Sequence, residues 1–303
     1  MVTIFLTGAT GYLGSTFLST VPDTWKVICY GRHAPVKQLP ENITWLEGDL
    51  SLSQKPIVIP DEVDTIIHLA AIKGSSSCAI NPSAVVKTNI IGTHRLLSAA
   101  KEQEIKKIVF ASTYWVYGSS AEIPFDEKMP ISPNDMYGIS KAVSELEIMS
   151  SGIDFTILRF GNIFGMGSGI NPEEVVYYFI RSACTGSEIR LEHGGRQEID
   201  PIDISDVCSV LKTVTQSPSA SGEIFNIGNG IPRSIVSIGQ DIRDIFEKKF
   251  HKNVPIITEP SDNIETTRRY LSMKKFHSRF PEIEFRSFQE SIEKYIDDFQ
   301  VMR

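Results

Sequence analysis

The sequence predicts an α/β protein built on a doubly wound parallel sheet, and three observations carry that prediction. The chain opens on a run of β-formers, Val2 to Leu6, that breaks into Gly8, Gly11 and Gly14 as a potentially helical segment begins, Tyr12 to Ser19. Strand-like apolar runs then recur at Trp25 to Tyr30, Thr44 to Leu50, Val63 to Ala71 and Lys107 to Thr113, with a helix-period segment from Asn81 to Gln103. Strands alternating with helices at this spacing imply parallel βαβ units. In such sheets ligands lie at the carboxyl ends of the strands, where Gly8 to Gly14, Gly31, Ala70 and Thr113 would converge.

The 303 residues allow a large core and one domain and a half, or two intimately joined domains. A formal net charge of −7 offers no basic face to nucleic acid or to an anionic membrane. No run approaches the roughly 18 apolar residues of a membrane span, and the apolar N-terminus lacks the basic leader of a signal peptide. The four cysteines, Cys29, Cys78, Cys184 and Cys208, lie far apart without a CxxC or Cys/His cluster. They are expected to be reduced thiols in a cytoplasmic protein, with no metal site.

Each element can be justified in turn. The glycines after the first strand let the backbone approach a pyrophosphate, and the helix start offers free N–H groups and a positive dipole end; an ordinary βα turn is the bland alternative. At the end of the second strand an Asp or Glu would grip an adenosine ribose 2′-hydroxyl. Here that position is Gly31, followed by Arg32 and His33. Loss of the carboxylate and gain of a guanidinium suits a 2′-phosphate, since Arg offers a planar, charge-assisted fork; otherwise Arg32 is a solvated loop residue. The carboxylate of Asp49 is placed to accept from an adenine amino group. The run ending at Leu69, Ala70 and Ala71 finishes in small residues, as expected beside a cofactor, and His68 is read as a satisfied strand-end histidine. Pro82 starts the next helix, which contains Asn89.

Tyr137-Gly-Ile-Ser-Lys141 places a phenol and an ammonium four residues apart, on one face if helical. A lysine cation there is expected to lower the phenol pKa and make Tyr137 a proton donor and acceptor. The spacing recurs at Tyr270 and Lys274, read as structural because it lies far beyond the sheet.

With these residues in view, the chain resembles the extended short-chain dehydrogenase/reductases, the nucleotide-sugar epimerases, dehydratases and 4-ketoreductases. The resemblance runs through Thr7 to Gly14, His68 to Ala71, Ser112-Thr-Tyr-Trp-Val-Tyr-Gly118, Tyr137 to Lys141, Leu158 to Gly165 and Glu223 to Asn229, in the family's order. It implies a Rossmann fold with Tyr137 as acid/base, Lys141 as its partner and ribose ligand, and Thr113 bonding the reacting oxygen. The cofactor site it implies includes Thr10, Tyr12, Leu13, Leu50, Asn89, Ala111, Ser112, Phe160 and Ile163 beside the residues already named. Substrate contacts would come from Thr113, Tyr114, Asn162, Arg196 and Arg268. The implied reaction is hydride transfer between a sugar carbon and nicotinamide.

Departures narrow it. Dehydratases of the family carry Asp-Glu after the catalytic Ser/Thr, where this chain has Tyr114 and Trp115, so dehydration is not expected. Gly31 and Arg32 point to NADP, with NAD the alternative, and hence to a 4-ketoreductase over an NAD-retaining 4-epimerase. Ile199 stands where nucleotide-sugar members often carry a diphosphate-clamping Arg, leaving Arg196 or Arg268 to take the anion. It also keeps a non-nucleotide ketone or alcohol open as substrate, and a catalytically silent dinucleotide-binding regulator is a further alternative.

Further helices are expected at Asn171 to Ser182, Asp203 to Gln216, Ile235 to Lys249 and Ser287 to Phe299. A short strand is expected at Glu223 to Ile227, and Gly165 to Gly169 as a candidate lid. The resemblance divides the chain into a dinucleotide domain, 1–163 and 200–228, and a smaller interleaved α/β substrate domain, 164–199 and 229–303. It also implies a homodimer through the helices around 83–101 and 136–150.

Overall fold

The computed structural model describes residues 2–35, 39–52, 54–119, 122–167, 174–259 and 268–301. Six strands build the sheet in chain order: β1 (Val2–Thr7), β2 (Trp25–Gly31), β3 (Ile43–Glu47), β4 (Thr65–His68), β5 (Lys107–Thr113) and β6 (Asp154–Phe160). They lie in the order 3-2-1-4-5-6, and the strand Glu223–Ile227 adds a seventh beyond β6. Neighbours among the six pair in parallel. This is the doubly wound order whose reversal falls between β1 and β4. Strands buried on both faces read as unbroken apolar runs, and Ile4 to Leu6 and Ile66 to Ile67 are completely buried.

The chain divides into two compact units. The first contains residues 1–121, 127–160 and 208–226; the second contains 122–126, 161–207 and 227–303. The second has its own core, in which the helices Val175–Thr185, Ile235–Phe250 and Phe288–Val301 pack Phe179, Phe246 and Ile292 together. Three two-stranded pairings accompany them, including Asn162–Phe164 with Pro201–Asp203.

Several elements differ from expectation. The helix expected from Asn81 to Gln103 is a turn at Pro82–Val85, a wider π-turn at Val86–Ile91 and a helix at Gly92–Glu102. The widening leaves the Asn89 carbonyl to accept from Thr93 Oγ1 at 2.5 Å and Ser144 Oγ at 3.0 Å, so side-chain hydroxyls replace part of the helical ladder. The helix expected from Asn171 starts at Val175, because the Glu174 carboxylate accepts from the N–H groups of Val176 and Tyr177. Residues 171–173 and the tip of the expected lid, 168–169, lie outside the described residues. The C-terminal helix starts at Phe288 behind a Ser287–Glu290 capping box.

Candidate active site

The glycine turn is shaped by two close approaches. Gly8 adopts φ +78°, and a Cβ there would stand 2.6 Å from the Ala70 amide nitrogen, so β1 and β4 meet backbone to backbone at this point. A Cβ on Gly14 would collide with the Gly8 carbonyl, whereas one on Gly11 would meet only the Gly8 oxygen at 3.2 Å. The turn therefore closes inward at residues 8 and 14, while Gly11 is exposed. No side chain caps the helix Tyr12–Leu18.

Beside the turn lies a cleft of about 340 Å³, wholly within the first unit. Of the predicted cofactor residues, Gly8, Thr10, Gly11, Gly31, Arg32, Asp49, Leu50, Leu69, Ala70 and Ala71 line it. Asp49 is held by Ser51, which donates to Oδ1 from its backbone N–H and its hydroxyl, both at 2.8 Å. Desolvation works to raise its pKa, but these bonds and the Arg32 and Arg95 guanidiniums outweigh it and hold the carboxyl below its usual range. The cleft also takes in residues the sequence did not suggest, among them Trp45, Gly48, Ile72 and Thr88.

Other predicted residues lie off this cleft. Tyr12 and Leu13 belong to the first turn of their helix, and His33 is exposed beyond the end of β2. Asn89 is only 2 % exposed: its Oδ1 accepts from Ile72 N at 2.8 Å, and its Nδ2 donates to Ile72 O at 2.9 Å and Ser140 Oγ at 3.0 Å. It thus fixes the cleft residue Ile72 and has its own side chain committed. Ser112 is likewise committed, donating to Glu145. Ala111 is half-buried and Phe160 buried on β5 and β6.

The second group of residues gathers where β5 meets the helix Met136–Ser150. Asp135 caps that helix through Gly138 N at 2.7 Å, which sets Tyr137 and Lys141 one turn apart on it. The Thr113 and Tyr137 side chains are hydrogen-bonded. Lys141 is buried, its Nζ 4.0 Å from the centroid of the Phe110 ring. Burial pulls its pKa down to about 7 against the opposing pull of Glu145. The Tyr137 phenol departs from expectation: desolvation pushes its pKa up, and the bond with Thr113 offsets only part of that. Lys141 has its ammonium over Phe110 and is not the group that sets the phenol.

Beneath this patch runs a buried polar network. Arg159 donates to Glu145 from Nε at 3.1 Å and Nη2 at 2.7 Å, and from Nη1 to the Tyr117 hydroxyl at 2.9 Å. Tyr117 donates in turn to Asn226 Oδ1 at 2.7 Å. His68 is satisfied at both ring nitrogens, by Thr7 Oγ1 at 2.7 Å and Thr93 Oγ1 at 2.9 Å. Burial lowers its pKa to about 3, which keeps it neutral, as a structural histidine should be. The repeated spacing at Tyr270 and Lys274 does not share a helix, since Lys274 opens the helix Lys274–Arg279.

The predicted substrate residues are split between the units. Tyr114 is buried and Trp115 half-buried directly after Thr113 in the first unit. In the second, Asn162 and Ile163 open a strand, and Asn162 Oδ1 is buried without a hydrogen-bond partner. Arg196 is exposed, and Arg268 is bound through Nε to Glu198 at 2.6 Å. Ile199 packs against the second unit's core. A cavity of about 410 Å³ in this unit is edged by Glu174, Glu192, Glu259 and a single guanidinium, that of Arg190. Arg190 is already paired with Glu188 and, at 3.8 Å, with Glu259. Among the described residues no group of three or more His, Cys, Asp and Glu is arranged to hold a metal, and no helix is long and apolar enough to cross a membrane.

Comparison with known proteins identifies the lineage. The model of the NAD dependent epimerase/dehydratase family matches residues 4–228. A dTDP-glucose 4,6-dehydratase of Streptomyces antibioticus is 26 % identical over 315 residues, covering 97 % of this chain and 91 % of that protein. A UDP-glucose 4-epimerase of Halalkalibacterium halodurans is 29 % identical over 274 residues, with 80 % of each chain covered. A UDP-N-acetylglucosamine 4-epimerase from Methanobrevibacter ruminantium M1 shares the fold, with a TM-score of 0.85 at 22 % identity over 100 % of this chain and 99 % of its own. With the sheet order, the glycine turn and the Tyr137–Lys141 helix in the same chain, the protein belongs to the NAD dependent epimerase/dehydratase family, the extended short-chain dehydrogenase/reductases that act on nucleotide sugars.

Proposed function

We propose that the protein is an NAD(P)-dependent oxidoreductase of a nucleotide-linked sugar and that it works as a 4-ketoreductase. The observation that carries this reading is the hydrogen-bonded pair Thr113–Tyr137 with Lys141 one helical turn on. A dinucleotide fits the residues present. The turn at Gly8 and Gly14 has no room for Cβ atoms, and Gly31, Arg32 and Asp49 line the adjoining cleft.

A bound nicotinamide supplies the hydride. As the sugar carbonyl carbon takes it up, the Tyr137 hydroxyl passes its proton to the carbonyl oxygen, and the Thr113 hydroxyl holds that oxygen in line. A solvent proton then restores the phenol. Elimination of water needs an acid and a base after Thr113, and Tyr114 and Trp115 supply neither carboxylate.

The second reading is 4-epimerisation with a retained cofactor, favoured by the epimerases among the relatives and structural neighbours. Mass spectrometry of products from a panel of nucleotide-linked 4-keto and 4-hydroxy sugars separates the two. Stoichiometric oxidation of NAD(P)H with a 4-keto sugar supports the reductase; interconversion of 4-hydroxy epimers without net cofactor use replaces it with the epimerase. Turnover of a free ketone and of no nucleotide sugar overturns the substrate assignment.

The four cysteines, none of them in a disulfide, suit a reducing cytoplasm. For the assembly state we propose a homodimer, because Ile139, Leu146 and Met149 expose one apolar face of their helix, with Ile91 also exposed on the preceding helical run. Solution scattering that returns a monomer mass overturns it.

A further inference from the structure

Trp45 has no part in the chemistry above, yet three observations place it at the adenosine end of the cleft. Trp45 lies on β3 opposite Cys29, two residues before Gly31 on β2, so its indole leans along the strand end that Gly31 closes. A Cβ on Gly31 would stand 3.0 Å from Trp45 Cζ2 and 3.3 Å from Cη2. Thus a side chain at 31 would press on the indole edge, which would have to give by a few tenths of an ångström. Lastly, the Trp45 Nε1 is screened from solvent and has no hydrogen-bond partner.

Covalent geometry joins these facts. Cζ2 and Nε1 are bonded to the same ring atom, Cε2, so the edge facing Gly31 is also the edge that carries the N–H. An indole nitrogen can only donate, and a buried donor without an acceptor is costly to the protein alone. Trp45, Gly31 and Arg32 line the same cleft, so an acceptor bound there would meet the indole donor and the Arg32 guanidinium together.

We propose that Trp45 tunes cofactor specificity: its ring crowds a carboxylate at position 31, and its N–H joins Arg32 in binding the 2′-phosphate of NADP. The inference rests on the dinucleotide reading and assigns a discriminating role to a residue outside the glycine turn and the catalytic patch. Both halves are steric or donor effects at the ribose, so they act on binding and leave the reacting carbon untouched.

The test is calorimetric binding of NADPH, NADH, adenosine 2′,5′-bisphosphate and AMP to the purified full chain and to three variants, each checked for native circular dichroism. Trp45→Phe keeps the ring and removes the donor. It is expected to weaken NADPH and the bisphosphate about five- to tenfold while NADH and AMP stay within twofold. Gly31→Asp is expected to weaken all four ligands, and Gly31→Asp combined with Trp45→Ala to recover NADH by about tenfold or more over Gly31→Asp alone. Equal affinities of wild type and Trp45→Phe for the bisphosphate overturn the donor role. A gain of NADH affinity in Gly31→Asp with Trp45 intact overturns the steric role. Binding of neither dinucleotide to wild type removes the cofactor reading itself, and this inference with it.

Discussion

The two units hold their cations in opposite ways. In the first, Lys141 and Arg159 are buried beside one carboxylate, Glu145, and Arg159 is bound to it through side chains that are 4 % and 0 % exposed. In the second, Arg190, Arg233 and Arg268 are each partnered by a carboxylate near the surface. The first unit uses charge inside a low-dielectric wall, where a guanidinium fixes the helix that carries Tyr137 and Lys141. The second spreads its charge in water, where pairing is weak and readily exchanged. The contrast puts the buried charge on the helix that carries Tyr137 and Lys141.

Removing the acid itself gives the largest expected effect. Tyr137→Phe should lower kcat by about 10²–10⁴-fold, with NAD(P)H binding kept within a few-fold. A variant that turns over normally would place the proton donor elsewhere. Next comes the buried wall. Glu145→Ala leaves Arg159 buried with its carboxylate gone, and the expected loss is about 3–5 kcal/mol in urea unfolding. A loss under about 1 kcal/mol would make this pair no different from those of the second unit.

Acid should separate the units as well. In the first, His68 has a folded pKa of about 3 against the usual 6.5. The unfolded chain therefore takes up a proton first, and stability falls as pH drops from about 6.5 towards 3. In the second, burial raises Asp200 from 3.8 to about 6, against three backbone N–H donors. There the folded form takes up the proton first, so this group favours folding as pH falls from about 6 to 4. Hydrogen exchange at pH 7 and pH 4.5 should show amides of β1 and β4 losing protection before those around Asn229 and Leu271. Simultaneous loss would mean that neither group governs acid unfolding.

What was legible in the sequence follows the range of the interaction. The glycine turn could be read because a positive φ and the approach of Ala70 leave little but glycine at position 8. Tyr137 and Lys141 could be read because a helix fixes the spacing of residues four apart. The phenol pKa could not, since it depends on burial and on where the lysine side chain turns. Trp45 was missed because its place beside Gly31 comes from strand register, and the Tyr117–Asn226 bond joins residues 109 apart in sequence. The π-turn at Val86–Ile91 was equally hidden, for it answers to hydroxyls of Thr93 and Ser144 that no local periodicity announces.

The smallest expected effect tests the second unit's side of the contrast. Arg268 was a candidate for holding a substrate anion, and its guanidinium is half-exposed and bound to Glu198. Holding a diphosphate there would mean exchanging one carboxylate for another anion, with little net gain in water. Arg268→Ala should therefore leave stability nearly unchanged and KM for the nucleotide sugar within about threefold, since an exposed ion pair is screened by water. Arg196 is exposed and has no ion pair among the described residues, so Arg196→Ala is the sharper comparison. If Arg196→Ala raises KM and Arg268→Ala does not, the anion is held at Arg196 and not at the paired Arg268. If Arg268→Ala raises KM tenfold, its pairing with Glu198 opens on binding, and the second unit is then a clamp, not a passive wall.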